Sequence, residues 1–214
     1  MTEILLSYIE KNNTELAVCG LVYHALETST FGEFPELPCI AVECVASVIP
    51  QFVTRYFLNS VCNKLFLKKF ITVSFVETMS LGEDLIFNFE YMRNIQRISI
   101  SAQCLVHYSI QNTQSLTGKV DSNRIFDTIE VYKQSLAFYS QYGCEENLKE
   151  SESLCKNTLV ESIIVICCSK FFTGKQKDHI REAVFCDQCI RSMIFNNSEF
   201  TIKKRIILWC IEHR

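Results

Sequence analysis

One acid, Glu43, stands in the otherwise mostly apolar run of residues 38–52, and it is the strongest chemical signal in the chain. An ionised carboxylate inside a helix that is hydrophobic all round is costly unless a partner or a raised pKa relieves it. Such a group is a candidate general acid or base. The loop Gly32-Glu33-Phe34-Pro35-Glu36-Leu37 just before it brings a second carboxylate, Glu33. Of the four histidines, His24 is nearest to this loop in sequence. An imidazole titrates near neutral pH, so a pairing of His24 with Glu43 would suit proton transfer, against the plainer reading of a satisfied half-buried side chain. The thiols suggest less. Of twelve cysteines, Cys39, Cys44, Cys104, Cys167, Cys168 and Cys210 sit in apolar runs and read as small buried hydrophobes of a reducing compartment. Cys186 and Cys189, with His179 upstream, have the spacing of half a zinc site, but no second pair completes it, so no metal is expected.

The elements that must position these residues follow from periodicity. Residues 16–28 are rich in β-branched and aromatic side chains and read as a strand. Pro38 suits the first turn of a helix, which the apolar run extends toward Leu58 with a kink at Pro50. The pattern then predicts strands over 65–76, 85–92 and 97–106, with a turn at Gly82-Glu83-Asp84. The clearest is 97–106, where Arg97, Ser99 and Ser101 alternate with Ile98, Ile100 and Ala102. A turn at 111–114 and a short strand over 116–120 follow. These elements predict an α+β fold in which an antiparallel sheet wraps one long buried helix.

The remainder echoes the first part. Residues 129–140 read as a strand, 143–153 as a polar loop, 158–172 as a second apolar helix carrying Glu161, and 200–211 as a strand. Glu161 follows Glu43 by 118 positions, and Ser198-Glu199 follows Gly82-Glu83 by 116. The expected organisation is therefore a domain over 1–122 and a second, incomplete repeat over 123–214.

Composition sets outer limits. With 48% apolar and 12% aromatic residues the chain can bury a sizeable core, and a net charge of -3 with pI near 5.9 argues against phosphate-backbone binding to nucleic acid. Acidic Glu3 and the short run Ile4-Leu5-Leu6 predict no secretory leader, and the apolar stretch 159–172 is shorter than the roughly 18 residues of a membrane span. A cytoplasmic protein is expected.

Gly32-Glu33-Phe34-Pro35, then Leu37-Pro38-Cys39, then Glu43-Cys44-Val45-Ala46-Ser47, is similar to the loop, turn and helix of the hotdog superfamily, in particular its 3-hydroxyacyl-ACP dehydratases. The segments Phe75-Val76-Glu77 and Gly82-Glu83-Asp84-Leu85 resemble a later strand and turn of that family. The resemblance covers residues 15–120. It implies a hotdog fold that pairs into homo- or hetero-oligomers, and a dehydratase or thioesterase of fatty-acid or polyketide metabolism. The substrate would be an acyl thioester of acyl carrier protein or coenzyme A, and no cofactor would be needed. Glu43 would be the acid/base and Glu33 its helper, with His24 as the available histidine. Gly32, Phe34, Pro38, Cys39 and Ile40 would line the substrate, and backbone N–H groups at the helix start would polarise the thioester carbonyl. The sequence departs from the family at one decisive position: Glu33 stands where the family carries its catalytic histidine. That departure keeps open a non-catalytic subunit, serving as acyl-binding or scaffold partner of an active enzyme. A helical interaction protein is the third reading.

Overall fold

The computed structural model describes residues 1–25, 28–48, 57–109, 124–143, 145–168, 173–195 and 200–213. The expected kink at Pro50, the turn at 111–114, the strand at 116–120 and the pair Ser198-Glu199 lie outside them.

The fold is mixed α+β, with a strongly curled, half-barrel sheet. In chain order come α1 (Thr2–Asn12), β1 (Leu16–Ala25), β2 (Thr28–Gly32), β3 (Leu37–Ala41), α2 (Val42–Val48), β4 (Lys64–Phe66), α3 (Glu83–Arg93) and β5 (Arg97–Ser109). Helices α4 (Arg124–Tyr142), α5 (Glu145–Cys168), α6 (Gly174–Phe185), α7 (Gln188–Phe195) and α8 (Ile202–Glu212) follow. The sheet order is β2-β1-β5-β3, and β4 shares with β2 the edge of β1 opposite β5. The centre is a parallel ladder between β1 and β5, running from Leu16↔Ile98 to His24↔Ser109, while the other pairings are antiparallel.

β1 is buried over its first eight residues because both its faces are covered. Leu16 and Val18 join the main core with Val42 and Val45 of α2, Phe89 and Met92 of α3, and Ile98 and Ile100 of β5. Ala17 and Cys19 pack instead with Leu5 and Ile9 of α1. At Gly20 the β1–β5 register shifts on both sides. A Cβ there would lie 2.6 Å from Cys104 Sγ and 2.7 Å from the Gly32 carbonyl oxygen, so only glycine lets β2 and β5 both close on β1.

α4 links this sheet to the helical half. Its Phe138 and Tyr139 belong to the main core, whereas Ile125, Ile129 and Tyr132 belong to a second core built with α5 to α8. Phe138 stacks on Phe89 of α3 with ring centroids 4.3 Å apart.

Two strand expectations hold: β1 and β5 form where residues 16–28 and 97–106 predict them. Four others are corrected. Residues 85–92 form α3, because Gly82 at φ 86° starts a helix whose first turn carries Glu83 and Asp84. Its apparent period of two comes from burial on two sides: Phe87 and Tyr91 face Phe66, while Phe89 faces Phe138. Of residues 65–76 only the start is a strand, followed by a 3-10 turn over Lys68–Phe70. Residues 129–140 lie in α4, where Ile125, Ile129, Tyr132, Leu136 and Tyr139 recur at helical spacing and tertiary packing overrides β propensity. Residues 202–211 form α8, capped by the Thr201 hydroxyl accepting from Lys204 N–H at 3.3 Å. Among the described residues after 123, then, the expected strands of a second copy are helices, and most of the expected polar loop at 143–153 lies in α5.

Pro38 is corrected too. It lies exposed in β3, at the sheet edge, where a residue without an N–H is tolerated. The helix starts only at Val42.

Candidate functional site

Glu43 occupies the first turn of α2 and is exposed. The helix dipole favours an acid there, and water solvates it, so the expected buried carboxylate is corrected to a surface one. Glu33 is exposed beyond β2, close enough to Cys104 that its charge, after burial, helps push that thiol's pKa up. Gly32 is buried with its carbonyl 3.9 Å from Cys104 Sγ, and Phe34 is buried edge-on to Phe57 at 5.3 Å. The Pro38 carbonyl accepts from Ser99 Oγ at 2.7 Å. Cys39 is exposed and Ile40 packs partly against the core, both on β3, so their N–H groups belong to a strand and not to the expected helix N-terminus.

His24 does gain partners, though not Glu43. Its Nδ1 is 2.9 Å from Ser29 Oγ, and its Nε2 is 2.8 Å from His107 Nδ1. The register explains why. Ser29 on β2 lies opposite His24 on β1, and His24 pairs with Ser109 of β5; one step along the same face, Phe31, Val22 and His107 form the next row. The two imidazoles are nearly coplanar, with centroids 5.1 Å apart and an 8° interplanar angle. Because centroid separation exceeds the N···N distance by about two ring radii, the facing nitrogens point at each other along one hydrogen bond. Only one of them can carry the proton. With the Ser29 hydroxyl donating to Nδ1, His24 donates from Nε2 to His107 Nδ1; the other tautomer of His24 reverses both bonds. This is a continuous chain from hydroxyl to base to orienting group. Phe31, 57% exposed, stands on the same face of β2 as Ser29 and offers an apolar contact beside the hydroxyl.

Ser29 and His107 are the members of this candidate site that sequence reasoning missed. His107 lies just past the alternating strand and Ser29 in a polar stretch. The antiparallel β1–β2 register sets Ser29 against His24, and the parallel β1–β5 register, across more than eighty residues, brings His107 to the same place.

A second polar cluster lies under residues 57–63. Lys64 is 5% exposed, and its amine donates to the Ser60 carbonyl and to Asn63 Oδ1 at 2.9 Å. Burial pushes its pKa down to about 7, against smaller opposite effects from Cys62, Asp84 and Cys19. Asn88 donates to the carbonyls of Leu58 at 2.5 Å and Ser60 at 3.2 Å, while its buried Oδ1 has no partner. Asn63 ties the same segment to β1 through the Cys19 carbonyl at 2.8 Å. These groups spend most of their hydrogen bonds on backbone, which is the pattern of a structural anchor.

No protein-family model and no curated protein sequence matches the chain. Among the described residues no helix is long and apolar enough to cross a membrane, and no group of three or more His, Cys, Asp or Glu side chains is placed to hold a metal ion.

Proposed function

We propose that the protein is an acyl-thioester hydrolase whose nucleophile is Ser29. The Ser29–His24–His107 chain carries this reading. Ser29 Oγ attacks the thioester carbonyl carbon as its proton passes to His24 Nδ1, and the C–S bond breaks with that proton delivered to the departing thiol. His24 then takes a proton from water, whose oxygen attacks the acyl-serine, and returns it to Ser29 as the acid leaves. His107 touches neither substrate atom. It accepts from His24 Nε2–H, which fixes the tautomer that leaves Nδ1 able to receive the serine proton. An imidazole in this place orients the base without the negative charge a carboxylate would supply. The acyl-thioester class rests on the sequence resemblance of Gly32-Glu33-Phe34-Pro35 to the hotdog family and on Phe31 beside the hydroxyl. Glu43 and Glu33 have no part in the step.

Thiol release from a panel of acyl-CoA and acyl-carrier-protein thioesters tests the reading, together with mass spectrometry for an acyl adduct or a fluorophosphonate adduct. Wild-type protein should release thiol and carry the adduct on Ser29. Ser29→Ala should abolish both, and His107→Ala should lower kcat by about tenfold to hundredfold, less than loss of a triad carboxylate does. No thiol release over the panel and no adduct would move the assignment to a non-catalytic acyl-binding or scaffold subunit. Turnover that survives Ser29→Ala but not Glu43→Gln would return it to the helix acid.

A further inference from the structure

The helical half carries a cleft that the thioester reading does not use. Its walls are single faces of two helices: Gln188, Arg191 and Phe195 at helical spacing on α7, and Trp209, Glu212 and His213 on α8. The volume is about 520 Å³, within the range of small-molecule sites. Trp209 is the only tryptophan in the chain and is 57% exposed, although an indole of that size normally loses most of its surface in a fold. One face of its indole is taken by His213, stacked at 4.5 Å and 26°, which leaves the exposed remainder for a ligand ring.

The polar groups narrow the ligand. Arg191 Nε donates to Glu212 Oε1 at 2.7 Å, using one nitrogen of a fork that carries five N–H donors, and its guanidinium lies 5.7 Å from the Phe195 ring centroid. Opposite charges thus lie side by side inside the cleft, which suits an uncharged ligand better than a phosphate. A planar donor fork next to a carboxylate acceptor matches a ring edge that offers both acceptors and donors. A purine does so: a guanidinium pairs with its O6 and N7 acceptors, and a carboxylate accepts from ring and exocyclic N–H. The indole supplies the stacking face.

We propose that the α7–α8 cleft binds a purine nucleobase, stacked on Trp209 with its edge read by Arg191 and Glu212. This site is independent of Ser29. The paired charges and the acidic chain favour a free nucleobase or nucleoside over a strand carrying phosphates.

Because Trp209 is the sole tryptophan, its emission reports the site directly in the intact chain. Titration with guanosine and adenosine should change that emission saturably, half-maximally at about 1 mM or below. Arg191→Lys keeps the charge but not the fork, and should raise the midpoint about tenfold or more with the far-ultraviolet circular dichroism unchanged. Gln188→Ala, which leaves the ion pair intact, is the second variant should Arg191→Lys unfold the helices, and it should also raise the midpoint. A purine-containing single-stranded oligonucleotide of a few bases distinguishes the sources: binding that tightens as salt falls assigns the base to nucleic acid, and binding no tighter than the nucleoside assigns it to the free compound. Non-saturating quenching equal to that of N-acetyltryptophanamide overturns the proposal. So does an unchanged midpoint in folded Arg191→Lys, or equal competition by methyl glucoside.

Discussion

Lys64 shows how strongly one residue's surroundings reset its chemistry. A lysine amine held by two neutral acceptors in a buried place favours its uncharged form, and its pKa falls from the usual alkaline range to about 7. Between pH 7 and the unfolded value of 10.5 the unfolded chain binds a proton at this site that the folded chain does not, so stability rises with pH across that window. Below pH 7 both states carry the proton and the full cost of burying it remains. Lys64→Met removes the contribution. In urea titrations, wild type minus Lys64→Met should therefore gain stability from pH 7 to 10, with a slope of up to about 1.4 kcal/mol per pH unit. A flat difference would mean that the amine reaches water. The comparison must be a difference because Cys19, raised by burial, opposes the trend as it titrates. None of this was legible in the sequence, where Lys64 is one cation in a polar stretch. Glu43 is the converse case. It looked buried because its neighbours are apolar, yet a seven-residue helix at the rim leaves a dry face for Val42, Val45 and Ala46 and a wet one for Glu43.

At the scale of elements, the sequence was most readable where one rule acts alone. β1 and β5 both formed at the positions read, but β5 is not the half-buried antiparallel strand its alternation predicts: it pairs parallel with β1 and antiparallel with β3, and Ser99 and Ser101 are as buried as Ile98 and Ile100. It was least readable where two kinds of packing overlap. In α3, aromatics facing Phe66 on one side and Phe138 on another mimic a strand, and in α4 β-branched residues mask a helical stripe. No local feature marks β1 and β5 as parallel, and with that pairing goes His107; Ser29 was missed separately, because residues 16–28 read as one strand, which hides its place opposite His24 on β2. Gly20 is where this geometry is most exposed to change. Gly20→Ala would drive a methyl into the Gly32 carbonyl and Cys104 Sγ, parting β2 from β1 and moving Ser29 relative to His24. We expect lower stability, by about 1–3 kcal/mol as for overpacked sites, together with a fall in any Ser29-dependent turnover. If turnover falls no further in Gly20→Ala than in an equally destabilised variant of α8, the β1–β2 register does not position the serine.

For the whole molecule, α4 decides whether there is one cooperative unit or two. Its two ends feed separate cores, and Phe138, fully buried against Phe89 of α3, is a central contact between α4 and the main core, beside the two Ser80 hydrogen bonds to Asp127. Phe138→Ala should cost about 3–5 kcal/mol. It should also split a single urea transition into two, which tryptophan emission from α8 and circular dichroism in the strand region would resolve. Coincident transitions in the variant would show that the remaining contacts suffice. The central ladder has a further consequence, in time. β1 spans Leu16–Ala25, yet its parallel partner begins at Arg97, and the residue paired with Leu16 is Ile98, 82 positions later. At about 5–20 residues per second, synthesis of that interval takes roughly 4–16 seconds. For all of it the most hydrophobic strand of the nascent chain has an unfilled edge, so the first half of the protein is where chaperone dependence and early aggregation should concentrate.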